Sequence, residues 1–319
     1  MIASLGWLCQ RLLGLSSQEV TFARRGFRGS EPQGRQCLEQ IGHTFLHGYH
    51  AALLDDPPET LAHRLTEVAL ELRGFAFEGA GMGLALLDQL LPWRQRRLHV
   101  FLHGPGAAYT YLVHVGVGWA LALLRRRVER PLARLDPVLC WLAVDGYGFY
   151  YGYFHWPRAV VRHVVPQRLT GYARRAFDQG LGRSLWFVDG ADVHRIPLSI
   201  AAFPPTRHVD LWSGVGLACA YAGGVERGAL AALRDAAGPY VLHLAQGAAF
   251  AAQARQRASN PAAHTEMACA VLCGLSAEAA AHVTDMALVD LPPDGPEPAY
   301  EVWRQRIQAH LAPEVARAK

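Results

Sequence analysis

Seven apolar stretches of helical length each hold a glycine near the middle, and they recur along the chain at a nearly constant interval. They read FLHGYHAAL around Gly48, FEGAGMGLALL around Gly79, HVGVGWALALL around Gly116 and VDGYGFYYGYF around Gly146. FDQGLGRSLWF around Gly180, WSGVGLACAYA around Gly214 and LAQGAAFAAQA around Gly247 complete the series. Successive glycines stand 30 to 37 residues apart, and several are doubled as G-x-G. Self-similarity at such a period marks a repeat architecture, in which each unit buries its apolar face against its neighbours. A glycine inside a helix costs about 0.5–1 kcal/mol relative to alanine. Its recurrence implies a compensating close approach, of helix to helix or of a ligand to the backbone.

The stretch beginning at Gly224 shows the unit most plainly. An amphipathic helix over Arg227–Ala237 ends at Gly238, and Pro239 suits the first turn of the next helix, which carries Gly247. This pattern is similar to the helix–turn–helix unit of tetratricopeptide-like repeats, whose period is about 34 residues. Prolines at 105, 157, 166, 204 and 205 mark longer loops. The expected fold is a single all-α domain over residues 1–319, an α-solenoid of helix pairs. Residues 1–38 form an N-terminal cap, 39–258 the glycine-centred repeats and 259–319 the C-terminal helices. The second architecture compatible with the pattern is a closed α/α toroid, as in lanthipeptide or terpene cyclases, with glycine-rich inner helices around a cavity. A dinucleotide site is excluded, because no β-branched strand precedes the G-x-G pairs and G-x-G-x-x-G is absent.

Composition narrows the class further. Hydrophobic residues make up 51% and charged residues 18%, which describes a globular chain and not a disordered one. A net charge of +4 is too small to announce a nucleic-acid binder. The six cysteines are scattered without a CxxC pair, as reduced cytoplasmic thiols are. The N-terminus, MIASLGWLCQRLLGLSSQEV, has no basic n-region and is interrupted by Arg11. It reads as an amphipathic helix docked on the protein's own core, with peripheral membrane contact as the alternative. Tyr111 to Leu124 is too short to span a bilayer and carries His114.

The residue before each repeat glycine is His47, Glu78, Val115, Asp145, Gln179, Ser213 or Gln246. Six of the seven are polar within apolar stretches, and His114 lies beside the exception. If the units superpose, these side chains share one surface, and converging polar groups in an apolar concavity describe a small-molecule site. Glu78 and Asp145 are the proton-transfer candidates, since apolar surroundings raise a carboxyl pKa toward neutrality. His47 and His114 are their natural partners. Gln179, Ser213 and Gln246 are substrate-binding candidates, together with Trp119 and with Tyr147, Phe149 and Tyr151 of the densest aromatic run. The competing reading is that the polar groups bond between repeats and the aromatics pack the core.

A second constellation follows Asn260-Pro261, a helix-start signal. Glu266, Cys269 and Cys273 fall on one connected helix face with His264 nearby, as a thiolate nucleophile with its base would. No spacing matches a strong metal signature, so no metal and no cofactor are expected.

Several strings together carry a wider resemblance: FARRGF, LRGFAFEGAGMGLALLD, HVGVGWALALL, LAVDGYGF and HTEMACAVLCGLSAEAAAHVTD. From about Phe22 to Asp285 the chain resembles a bacterial family, catalogued as a domain of unknown function, encoded beside enediyne polyketide synthases (UnbL-like accessory proteins). The resemblance implies a role in antibiotic secondary metabolism, acting on or binding a linear polyene or polyyne intermediate from the synthase. Cofactor-free acid–base isomerisation or cyclisation is the chemistry available. A helical scaffold docking the synthase or other accessory proteins, without catalysis, is the alternative.

Overall fold

A computed structural model describes residues 5–29, 31–91 and 96–317, and every regular element among them is helical. Residues 1–4 of the apolar N-terminus lie outside the described residues. The helices used below are α1 (Leu5–Leu13), α2 (Pro32–Leu53), α3 (Arg73–Leu90), α4 (Thr110–Leu123) and α5 (Cys140–Phe154). They continue as α6 (Ala173–Val188), α7 (Pro205–Ala222), α8 (Val241–Arg257), α9 (Ala263–Leu272), α10 (Ala277–Leu288) and α11 (Ala299–Arg317).

The seven glycine stretches are α2 to α8, and each packs along the next in chain order. Glycine is required because the backbones touch. A Cβ on Gly79 would lie 1.9 Å from the Phe45 carbonyl oxygen, on Gly116 2.0 Å from that of Glu78, and on Gly146 1.9 Å from that of Val115. The same contact recurs at Gly180 on Asp145 (1.7 Å), Gly214 on Gln179 and Gly247 on Ser213 (both 1.9 Å). The second glycine of each pair makes the reciprocal contact forward. Gly48 meets the Ala76 oxygen, Gly81 that of Val113, Gly118 that of Ala143, Gly148 that of Phe177, Gly182 that of Leu211 and Gly216 that of Leu244. Every junction is thus a pair of glycines facing each other at one height, with Cα–H groups against carbonyl oxygens, each such contact worth about 0.5–1 kcal/mol. Neighbours run parallel, since contacts advance together along both helices: Gly148 with Gly180, then Gly152 with Ser184.

Between the parallel helices the chain must return. The return segments hold a short helix or single turn, from eleven residues (Arg227–Ala237) down to four (Glu129–Leu132). The second helix of the repeat is therefore complete in only some units. Proline starts α2 and α7 at their first turn, where its missing N–H costs nothing.

The row does not stay open. The C-terminal ends of α6, α7 and α8 meet the N-terminal ends of α2, α3 and α4, so the row winds back on itself as a tight superhelix. Phe75 and Tyr221 make a ring contact at 5.1 Å, the Cys37 thiol donates to the Ala222 carbonyl at 3.7 Å, and Arg255 Nη1 donates to the Glu71 carbonyl at 3.2 Å. Helix α4, buried along almost its whole length, is apolar on every side, as a fully enclosed helix must be. Helix α11 closes the C-terminal side, with Tyr300, Trp303, Arg304, Ile307 and Leu311 buried against the row. Among the described residues no single helix is long and apolar enough to cross a membrane; only α9 and α10 pass that test jointly, and they are bent by 69°.

The glycine contacts predict a sharp contrast in stability. Gly180→Ala must push a methyl group into the Asp145 carbonyl and should cost about 3 kcal/mol or more. Gly228→Ala, in the exposed helix Arg227–Ala237 with nothing within 4 Å, should gain about 0.5–1 kcal/mol. Urea denaturation of the two variants checks this, and equal effects would refute the backbone-contact account.

Candidate functional site

The glycine register fixes which residues are equivalent. The residue before the first glycine of each pair offers its carbonyl to the next helix, and those residues are Phe45, Glu78, Val115, Asp145, Gln179 and Ser213, with Gln246 in the last helix. The expected line of polar side chains is therefore real in α3 and in α5 to α8, and all five are buried. It is displaced in α2. Gly48 is the second glycine of its pair, contacting Ala76, so Leu46 occupies the first glycine's place and Phe45 the polar slot. His47 lands two residues further on, exposed, with Nε2 3.4 Å from the Arg64 carbonyl, and takes no part in the interior.

The interior enclosed by the wound row, the lumen, holds an ionic partition at its centre, formed by the buried Glu78, Asp145 and Arg183. Arg183 Nη1 donates to Asp145 Oδ1 at 2.5 Å, and its Nη2 lies 3.7 Å from Glu78 Oε2. Trp119 Nε1 donates to Glu78 Oε1 at 3.0 Å, Gln179 Nε2 to Asp145 Oδ2 at 2.9 Å, and the guanidinium sits 4.6 Å over the Phe149 ring. Burial pushes the Glu78 carboxyl up to about 7; Arg183 opposes the shift and Asp145 adds to it. Burial works against the charge of Arg183 too, yet Asp145 and Glu78 together hold its pKa above the usual value. Glu78 Oε2 accepts no hydrogen bond, which leaves that oxygen free to carry a proton.

Two apolar cavities flank the partition. One, touching Arg183, is walled by Tyr111, Val115, Leu142, Tyr221, Phe250 and Trp303. The other, touching Glu78, is walled by Phe45, Phe75, Trp119, Phe149, Tyr153 and Phe187 among others. The free space in each is about 30 Å³, room for about one water molecule.

Further along the line, Ser213 Oγ donates to Gln246 Oε1 at 2.8 Å, and Arg304 Nε donates to the same oxygen at 3.2 Å. Arg304 Nη1 also donates to Asp210 (2.7 Å) and Glu301 (2.9 Å), and Arg175 bridges the same two carboxylates at 3.0 and 2.8 Å. Tyr172 completes this network through Glu301, and Tyr300 joins Gln179 at 2.9 Å. Arg183, Tyr300 and Arg304 were not foreseen from the sequence. Arg183 stands four residues after Gln179 on the same helical face, a signal that could have found it; α11 lies outside the repeat and offered none.

The remaining candidates lie elsewhere. His114 is buried but bonds its own helix, Nδ1 lying 2.7 Å from the Thr110 carbonyl oxygen, and burial lowers its pKa. Of the aromatic run, Phe149 faces the lumen, whereas Tyr147 and Tyr151 stack on each other at 5.3 Å on the other side of α5. The His264 cluster is split. His264 Nε2 lies 3.0 Å from the Tyr221 carbonyl oxygen, and Glu266 accepts the Ala277 N–H at 2.8 Å. The Cys269 and Cys273 thiols are fully buried, pointing at carbonyls of α8. The hydrogen bond from Cys269, and burial after it, push the Cys273 thiol up, so no activated thiolate is built there. No group of three or more metal-ligating side chains occurs among the described residues.

Fold and site together define an all-α glycine-zipper repeat protein with a buried acid–base partition. The chain belongs to the family described as a protein of unknown function (DUF1702), which it matches over residues 4–311. No curated protein and no solved structure matches it.

The raised Glu78 pKa has a thermodynamic signature. A carboxyl whose pKa rises on folding contributes stability that is fully present below its unfolded value, about 4.5, and is lost as pH rises through about 7. Wild type and Glu78→Gln should therefore diverge by an amount on the order of 3 kcal/mol between about pH 4 and pH 8, the variant gaining relative stability at high pH. Parallel denaturation profiles of the two proteins across that range would contradict the assignment.

Proposed function

We propose that the protein binds a slender apolar molecule along its lumen and that Glu78 exchanges a proton with it. The observation that carries this reading is a carboxyl held near neutrality, with one oxygen unbonded, between two cavities walled by apolar side chains. Isomerisation of a conjugated chain removes one proton and returns one, so a single carboxyl serves both halves of the step. Arg183 and Asp145 are positioning groups: Arg183 supplies the counter-charge of the ionised carboxyl, and Asp145 holds Arg183 in place. Trp303 of α11 walls one of the two cavities. The resemblance to enediyne-biosynthesis accessory proteins makes a linear polyene or polyyne intermediate the substrate class, and isomerisation or cyclisation the reaction.

The small free volume of both cavities favours a second reading, in which the polar line only locks the repeats and the protein is a scaffold for other biosynthetic proteins. Deletion of the gene in a producing strain, followed by complementation, separates the two. Complementation with Glu78→Gln should restore soluble protein but lower product by about 100-fold or more, with accumulation of a core precursor seen by mass spectrometry. Normal product from that variant, with loss only on full deletion, would establish the scaffold.

A further inference from the structure

A cleft of about 860 Å³ opens on the side of α5 away from the lumen, and the lumen reading makes no use of it. Arg125, Arg127, Arg158 and Arg168 line it with His155, and Tyr151 and the segment Val164-Val165-Pro166 give it an apolar wall. Among the described residues none of these four arginines pairs with a carboxylate. The Arg168 guanidinium donates to the Arg125 carbonyl, tying the two sides of the cleft together. Charge is concentrated here to an unusual degree. Residues 125–168 contain eight arginines against Glu129, Asp136 and Asp145, and Asp145 is buried on Arg183. This one segment carries more positive charge than the net +4 of the whole chain. Concave walls with one sign of charge focus the field on what enters, and guanidinium groups match phosphate oxygens in bidentate geometry.

We propose that this cleft binds a phosphate-bearing small molecule. Its phosphate is held by Arg125, Arg127, Arg158 and Arg168, and its apolar or aromatic part lies against Tyr151, Val165 and Pro166. A concave cleft with an apolar wall fits a small ligand better than the flat face of an acidic protein. His155 reports on the site: burial and then Arg125, Arg25 and Arg158 push its pKa below the ordinary value, and its ring lies 5.4 Å from that of Tyr151. A bound anion cancels that field and must move the pKa of His155 upward.

The test is calorimetric titration of the whole protein with adenosine diphosphate and with inorganic pyrophosphate at physiological salt, beside an NMR titration of the His155 ring. Wild type should bind both probes, with a rise in the His155 pKa at saturation. Arg127→Gln/Arg158→Gln removes two exposed side chains with no hydrogen bond to lose, and should weaken binding by roughly tenfold or more and abolish the histidine shift. Binding that survives the double substitution would overturn the proposal, as would sulfate competing equally well, which marks an adventitious ion only. Binding to vesicles of phosphatidylglycerol but to neither soluble probe would assign the surface to a membrane instead. Glu78→Gln should leave the titration unchanged, so the cleft and the lumen fail or stand separately.

Discussion

Contact between glycine Cα atoms and the carbonyl oxygens of the next helix is the constraint on which the rest of the molecule depends. Ordinary helix packing interposes side chains and leaves the stagger of two helices to ridges and grooves, with wide scatter. Here a Cβ at any of the paired glycines would stand 1.7 to 2.6 Å from a backbone oxygen, so neither helix can slide without collision. The stagger is set by backbone, repeated identically at six junctions, and the position before each first glycine must superpose through the series. A line of side chains at that position is then a consequence of register. Membrane helices use small residues for the same close approach; here the rest of the helical surface is buried against protein.

Inside a row so tightly wound, most buried ionic groups are matched by opposite charges, although Arg255 is held by backbone carbonyls instead. Arg175 and Arg304 face Asp210 and Glu301, two cations for two carboxylates, and Asp178 faces Arg207. The partition departs from this rule, because Glu78 and Asp145 share the single cation Arg183. Desolvation makes an uncompensated charge expensive, and one proton on the pair restores neutrality. Of the two, Glu78 is the carboxyl that burial pushes up to about 7; it stands farther from the guanidinium than Asp145 does, and one of its oxygens accepts no hydrogen bond. Burial is the larger cause of the raised Glu78 pKa, and the second carboxylate, Asp145, adds to it.

The repeat was legible in the sequence because glycine is demanded by the backbone, and a backbone demand leaves its mark at fixed intervals. Its phase is ambiguous where the first glycine of the pair is absent: Leu46 in α2 removes the cue, and the position before Gly48 is His47 although Phe45 occupies the line. The superhelical winding was not legible, since it depends on where helix ends meet, as in the contact of Cys37 with Ala222, between residues 185 apart. For the same reason Arg304 and Tyr300 stayed hidden, being contributed by a helix with no counterpart in the repeat. The cysteines show the reverse error: Cys269 and Cys273 do share a face, but that face meets carbonyls of α8 and not solvent or a base.

Helix α5 joins the two chemical environments and explains why its sequence is so dense in aromatics. On the lumen side Phe149 supports the Arg183 guanidinium and, with Tyr153, walls a cavity; on the other side Tyr147 and Tyr151 stack, and His155 follows at the rim of the arginine cleft. Flanked closely by α4 and α6, α5 fills its two remaining faces with flat, rigid rings, whose burial is large and whose rotamer freedom is small. Gly146 and Gly148 hold the backbone against its neighbours at the same height as Asp145. The carboxylate of the partition is thereby fixed by the contacts that build the repeat, and displacing it would require breaking the zipper on both sides of α5.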